Sequence, residues 1–146
     1  MERILAVDYG TKNIGLAISD TLGIAAHPLP SRAKKGDRSD IEHIINLVRE
    51  YSVSVVVIGL PLLMDGTEGD LARQARNFGA EIKSAISPGE DVVRVEFYDE
   101  RLTTSLVEKM LIEEADISRA RRKKIKDKLS AVVILQNYMD FLGHDK

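Results

Sequence analysis

The chain has 146 residues, 30% of them charged and 44% hydrophobic, with a formal net charge of −2 and no cysteine. That length suits one domain, residues 1–146, with a full core of its own. The missing cysteines exclude disulfides and thiolate zinc sites, and no apolar stretch is long enough to span a bilayer. The near-neutral total argues against a general basic coat, yet Arg119, Arg121, Arg122, Lys123, Lys124, Lys126 and Lys128 crowd around a single acid, Asp127. Local charge, more than the total, governs docking on one face.

Residues 3–7 form an apolar run ending in Asp8-Tyr9-Gly10, and residues 14–18 form a second one after Thr11-Lys12-Asn13. Two such runs joined by a short polar turn with Gly and Asn predict a β-hairpin. The first run meets Asp8 and Lys12 too soon for a secretory signal, which with the lack of cysteine fits a cytoplasmic protein. Residues 24–30 predict a third strand, placed at an edge by Pro28, which lacks a ladder donor. Residues 31–38 (SRAKKGDR) read as a basic, mobile loop. Ser39 and Glu42 have the spacing of a capping box. They open a helix to about Tyr51 with Ile41, Ile44, Ile45 and Val48 on one face.

Residues 53–58 (VSVVVI) are almost continuously β-branched and predict a parallel strand buried on both faces. Thr67 is placed to cap a helix running to about Ile86, with Leu71, Ala75, Phe78 and Ile82 inward. Residues 92–98 alternate, which predicts a strand near the sheet margin. A helix with Leu106, Val107, Met110 and Leu111 inward should follow. The basic segment then opens a last helix whose turn at residues 132–135 has no polar face. The order βββαβαβαα predicts an α/β protein with a five-stranded mixed sheet: the first three strands antiparallel, the first, fourth and fifth parallel.

Ligands of such sheets gather beyond the carboxyl ends of the parallel strands. Asp8, residues 59–61 and Asp99-Glu100 all fall on that side. A carboxylate at the end of a buried strand is costly to desolvate without a partner. Asp8, Asp99 or Glu100, and Asp127 could together hold Mg²⁺, which favours a few carboxylates plus water and phosphate oxygens. Each acid also has a plain structural reading. Asp8 can be a turn former, Asp99 and Glu100 can favour a helix N-terminus, and Asp127 can pair with its lysine neighbours. The basic run can be a solvated helix face. His27, His43 and His144 are scattered and suggest no role.

Four stretches, in order, carry a family resemblance: DYGTKNIGLAISD at 8–20, GLPLLMDGTEG at 59–69, YDERLTT at 98–104 and RRKKIKDKLSAVVILQNY at 121–138. The chain resembles the YqgF (RuvX) family of RNase H-like nucleases of pre-16S rRNA maturation, themselves distantly similar to Holliday-junction resolvases. One departure is Leu63, where the family often has Asn. The resemblance implies an RNase H-like sheet with helices on both faces. It implies a Mg²⁺- or Mn²⁺-dependent nuclease in which Asp8, Glu100 and Asp127 are catalytic and hold the metal, with Asp99 as an understudy. Lys12, Arg101, Arg121, Arg122, Lys123 and Lys124, with help from the 32–38 loop, are the candidates to hold the phosphate backbone of precursor rRNA. Rival readings are a resolvase of branched DNA, a non-catalytic nucleic-acid-binding module, and an ATPase of the actin and sugar-kinase type. The last needs a second, similar domain for which this length has no room.

Overall fold

The computed structural model describes residues 3–63, 65–86, 93–99 and 119–144, in the last of these the side chains of 129–140 and 142. Among the described residues eight elements follow in chain order: β1 (Arg3–Tyr9), β2 (Asn13–Ser19), β3 (Ala26–Ala33), α1 (Asp37–Glu50), β4 (Val53–Leu60), α2 (Asp70–Ala85), β5 (Arg94–Asp99) and α3 (Arg119–His144). The helix expected around residues 106–111 lies outside the described residues. The five strands form one sheet in the order β3-β2-β1-β4-β5. Pairs β1–β2 and β2–β3 are antiparallel; β1–β4 and β4–β5 are parallel. The strand beginning the chain is therefore the central one, and the Pro28 strand and the alternating strand are the two edges.

The side-chain alternation of β1 sends its residues into two cores. Leu5, Val7 and Tyr9 pack with Ile41, Ile44 and Val48 of α1 and with Ala75, Phe78 and Ile82 of α2. Ile4 and Ala6 pack on the opposite face with Ala131, Ile134, Leu135 and Met139 of α3. Helices cover both faces, as the buried, β-branched β4 requires. The two cores differ in grain. Under α3 the sheet offers Ala6 and Ala17, which are paired across β1 and β2. With Ala131 fully buried above them, small residues on both sides let the helix backbone come close. On the other face α2 approaches through Gly79: a Cβ there would lie 2.7 Å from Phe97 Cζ and 2.9 Å from Ile58 Cδ1.

Local expectations change in four places. The third strand runs to Ala33 rather than stopping at Pro30, so part of the expected loop is sheet. Helix α1 starts at Asp37 with Gly36 as its N-cap and no side-chain cap. Ser39 is not the cap, because its hydroxyl accepts a hydrogen bond from Arg32 Nη2 at 2.8 Å. Thr67 does not cap α2 either. Gly69 stands at that position, and the Thr67 hydroxyl donates to Asp65 Oδ1 at 2.6 Å. In α3, Ile134 and Leu135 are buried, while Val132 and Val133 are only partly so.

Candidate active site at the end of the central strand

Asp8 is the penultimate residue of β1 and is partly buried. By strand parity it shares the face of Ile4 and Ala6, the face covered by α3. Its two ladder neighbours are both glycines: Gly15 on β2 and Gly59 on β4. Side chains directly across a ladder are normally close enough to touch. Here neither ladder partner carries a side chain beside the carboxylate. Beyond Gly59 the same row reaches Tyr98 on β5, a partly buried member of the α3-side core. The sequence placed Gly59 among the strand ends on this side but gave no part to Gly15. Their signal is visible only once the strand register aligns them with Asp8.

The turn after Asp8 is tightly determined. The Gly10 N–H donates to the Asn13 carbonyl at 3.0 Å. A Cβ on Gly10 would sit 2.6 Å from that same oxygen, so only glycine fits. From the opposite face of the sheet the β3–α1 connection is strapped onto this turn. The Lys34 N–H donates to the Lys12 carbonyl at 2.9 Å. Lys34 Nζ donates to the Gly10 carbonyl at 3.0 Å and lies 3.8 Å from the centre of the Tyr9 ring. The Tyr9 hydroxyl in turn donates to Asp37 Oδ1 at 3.4 Å. The segment expected to be a mobile loop is thus held at several points.

Its deepest anchor is Asp40, which is fully buried in the first turn of α1. Arg32 Nε of β3 donates to Asp40 Oδ1 at 2.9 Å and the Lys35 N–H donates to the same oxygen at 3.1 Å. Burial alone would raise the Asp40 pKa, but the hydrogen bonds from Arg32 and the backbone outweigh it and hold the carboxyl below its usual range. Its other oxygen, Oδ2, is buried without a hydrogen-bond partner. The sequence reading missed this pair entirely.

The remaining candidate residues are distributed as follows. Lys12 is exposed in the turn. Asp99 ends β5, paired with Leu60 of β4, and has the parity of Phe97, whose side chain belongs to the α1/α2 core. Glu100 and Arg101 lie outside the described residues. Arg121, Arg122, Lys123, Lys124 and Asp127 fall within α3, but their side chains lie outside the described residues. Among the described residues no three potential ligands form a metal-holding group. Leu63, the departure from the expected polar residue, is 52% exposed; its side chain lies 3.4 Å from where a Cβ of Gly69 would be, and its N–H donates to the Thr67 carbonyl at 2.9 Å. It shapes the loop after β4 by packing and a backbone bond.

Residues 2–141 match the family described as "RuvX: Holliday junction resolvase". A protein of Endomicrobium trichonymphae named "Putative pre-16S rRNA nuclease" is 46% identical over 140 residues, covering 96% of each chain. One of the same name from Halalkalibacterium halodurans is 46% identical over 140 residues, covering 94% of this chain and 96% of the other. Among solved structures, Thermus thermophilus RuvC bound to a Holliday junction superposes with a TM-score of 0.53 at 13% identity, covering 98% of this chain and 97% of RuvC. The fowlpox virus resolvase bound to Holliday junction DNA gives 0.54 at 15% identity, covering 96% and 98% of the two chains. These two likenesses establish the RNase H-like fold, and the sequence match establishes the kinship: the chain belongs to the RuvX family.

Proposed function

We propose that this protein is a divalent-metal-dependent endonuclease that hydrolyses phosphodiester bonds of structured nucleic acid, with the 5′ end of pre-16S rRNA in the cytoplasm as its substrate. The observation that carries the reading is Asp8: a half-buried carboxylate at the end of the central strand, with a glycine on either side of it in the ladder. A hard oxygen donor flanked by two glycines suits Mg²⁺ or Mn²⁺, which keep water and phosphate oxygens in their coordination sphere. Bound there, such an ion would supply an activated water and neutralise charge on the scissile phosphate.

The chain's own residues do the positioning. Asp8 would hold the metal on the central strand, and the glycines on either side of it, Gly15 and Gly59, would put no side chain in the way of a phosphate. Glu100 and Asp127 are the proposed partners. Asp99, the last residue of β5, has the parity of Phe97 on the face opposite Asp8, so Glu100 is proposed as the ligand in its place. Asp127 precedes Ala131 by four positions and Ile134 by seven, the spacing of one helical stripe. Lys12, Arg101, Arg121, Arg122, Lys123 and Lys124 are proposed to hold the phosphate backbone.

The test is cleavage of labelled precursor rRNA beside a four-way DNA junction, each with Mg²⁺, Mn²⁺ or chelator, by native protein and by Asp8→Asn. Metal-dependent cutting of the RNA that Asp8→Asn lacks supports the proposal. Cutting of the junction alone would move the substrate to branched DNA, which the likeness to junction-bound resolvases makes the second reading. Undiminished cutting by Asp8→Asn would remove the site.

A further inference from the structure

The strap between β3 and α1 is more strongly built than a connection requires. It encloses a fully buried carboxylate, leaves one of its oxygens without a partner, and ties the segment to β1 and to the turn that follows it. Gly36 adopts φ 118° within it, a conformation that excludes most side chains. What this scaffold holds out to solvent is charge. Arg32 is engaged by Asp40, and Lys34 by Gly10 and Tyr9. Lys35 and Arg38 are exposed and, among the described residues, enter no ion pair. The Lys35 backbone is fixed by its bond to Asp40, and Arg38 lies in the first turn of α1, which Arg32 pins through Ser39. Both line a shallow hollow of about 510 Å³. Two carboxylates share the hollow with them, Glu42 and Asp37, the latter accepting a hydrogen bond from the Tyr9 hydroxyl, while Asp40 is engaged by Arg32.

Position gives this pair its meaning. β1 and β3 run the same way, so the end of β3, the start of α1 and Asp8 lie along one edge of the sheet. Helix α1 packs on one face of the sheet and α3, which carries the basic run, on the other. We infer that Lys35 and Arg38 form a second phosphate-backbone contact, so that the nucleic acid straddles the sheet edge with Asp8 between its two points of attachment. The inference rests on the nucleic-acid reading above and adds a substrate requirement: backbone on both sides of the cut, as a duplex or branch provides. Cations held in place by a rigid segment bind without the ordering cost that a mobile loop would carry.

The experiment is binding of a labelled RNA duplex in chelator across a salt series. It uses native protein, a Lys35→Gln/Arg38→Gln variant and an Arg49→Gln/Lys83→Gln variant. The second pair makes the same change in net charge at the far ends of α1 and α2. Each lost phosphate contact lowers the salt slope by about 0.9. Between about 50 and 200 mM salt the native protein should therefore lose about tenfold more affinity than the Lys35/Arg38 variant. The Arg49/Lys83 variant should follow the native slope. An unchanged slope in the Lys35/Arg38 variant, or an equal flattening in both variants, overturns the inference while leaving the nuclease reading intact. Failure of the native protein to bind the duplex at any salt overturns the inference and removes duplex RNA as a substrate.

Discussion

Replacing Asp40 by Asn tests the strap where it is most exacting. The substitution keeps shape and one acceptor but removes the charge that Arg32 Nε and the Lys35 N–H address at 2.9 and 3.1 Å. Hydrogen bonds to a charged group are worth about 1.5–3 kcal/mol each, against roughly 1 for neutral ones. The Asn amide must also place its NH₂ or its oxygen where Oδ2 now sits without a partner. Breaking a fully buried ion pair costs about 3–5 kcal/mol. The Arg32 side chain is 15% exposed and recovers some hydration, so the predicted loss is about 2–3 kcal/mol, or roughly 5–10 °C in Tm for a domain of this size. The sign with pH follows from the lowered pKa. Asp40 contributes its full stabilisation above the ordinary carboxylate value of about 3.9, and the contribution fades as pH falls through the lower folded value. Urea denaturation followed by circular dichroism at pH 7 and in steps to about pH 3 should therefore show a gap between native and Asp40→Asn that narrows only at the acid end. A gap of the same size at both ends, or one below about 0.5 kcal/mol at pH 7, would refute the argument that a charged anchor holds this segment.

Three further outcomes are expected. Glu100→Gln should reduce metal-dependent cleavage by orders of magnitude and Asp99→Asn much less; single-turnover rates in the reverse order would exchange the two acids. Millimolar Mg²⁺ or Mn²⁺ should raise the native Tm by mass action, and Asp127→Ala should diminish that rise; an equal response in scanning calorimetry would exclude Asp127 as a ligand. Gly79→Ala gains about 1 kcal/mol of helix propensity but must displace Phe97 and Ile58, at a cost of about 1–3 kcal/mol. Its urea midpoint should therefore lie at or below the native one, and a clear increase would mean that α2 can lift from the sheet without loss.

The architecture was legible where one physical cause dominated. The β-branched run at 53–58 required burial on both faces, Pro28 required an edge, and the crossover helix lengths required parallel pairing. The position of Asp8 near the end of the buried first strand was legible in the same way. What could not be read depended on partners far apart in sequence or on register. The capping-box pattern at Ser39 and Glu42 was locally sound, but Arg32 engages the Ser39 hydroxyl and Gly36 serves as the cap instead. The Arg32–Asp40 pair joins a strand to a helix and leaves no periodic trace. Gly15 and Gly59 look like ordinary strand glycines until the ladder sets them on either side of Asp8.

The central place of β1 also bears on how the proposed site comes apart and reassembles. Asp8 belongs to a strand hydrogen-bonded on both sides and sandwiched between two cores. Its amide should open only with the whole protein, whereas the edge strands β3 and β5 each have a single neighbour and can open in smaller, cheaper fluctuations. A cation bound at Asp8 therefore has little left to order at the centre. Its binding free energy slows global opening, and with it exchange at Asp8; any additional ordering should appear at the periphery, at the end of β5 and in the helix that would complete the coordination.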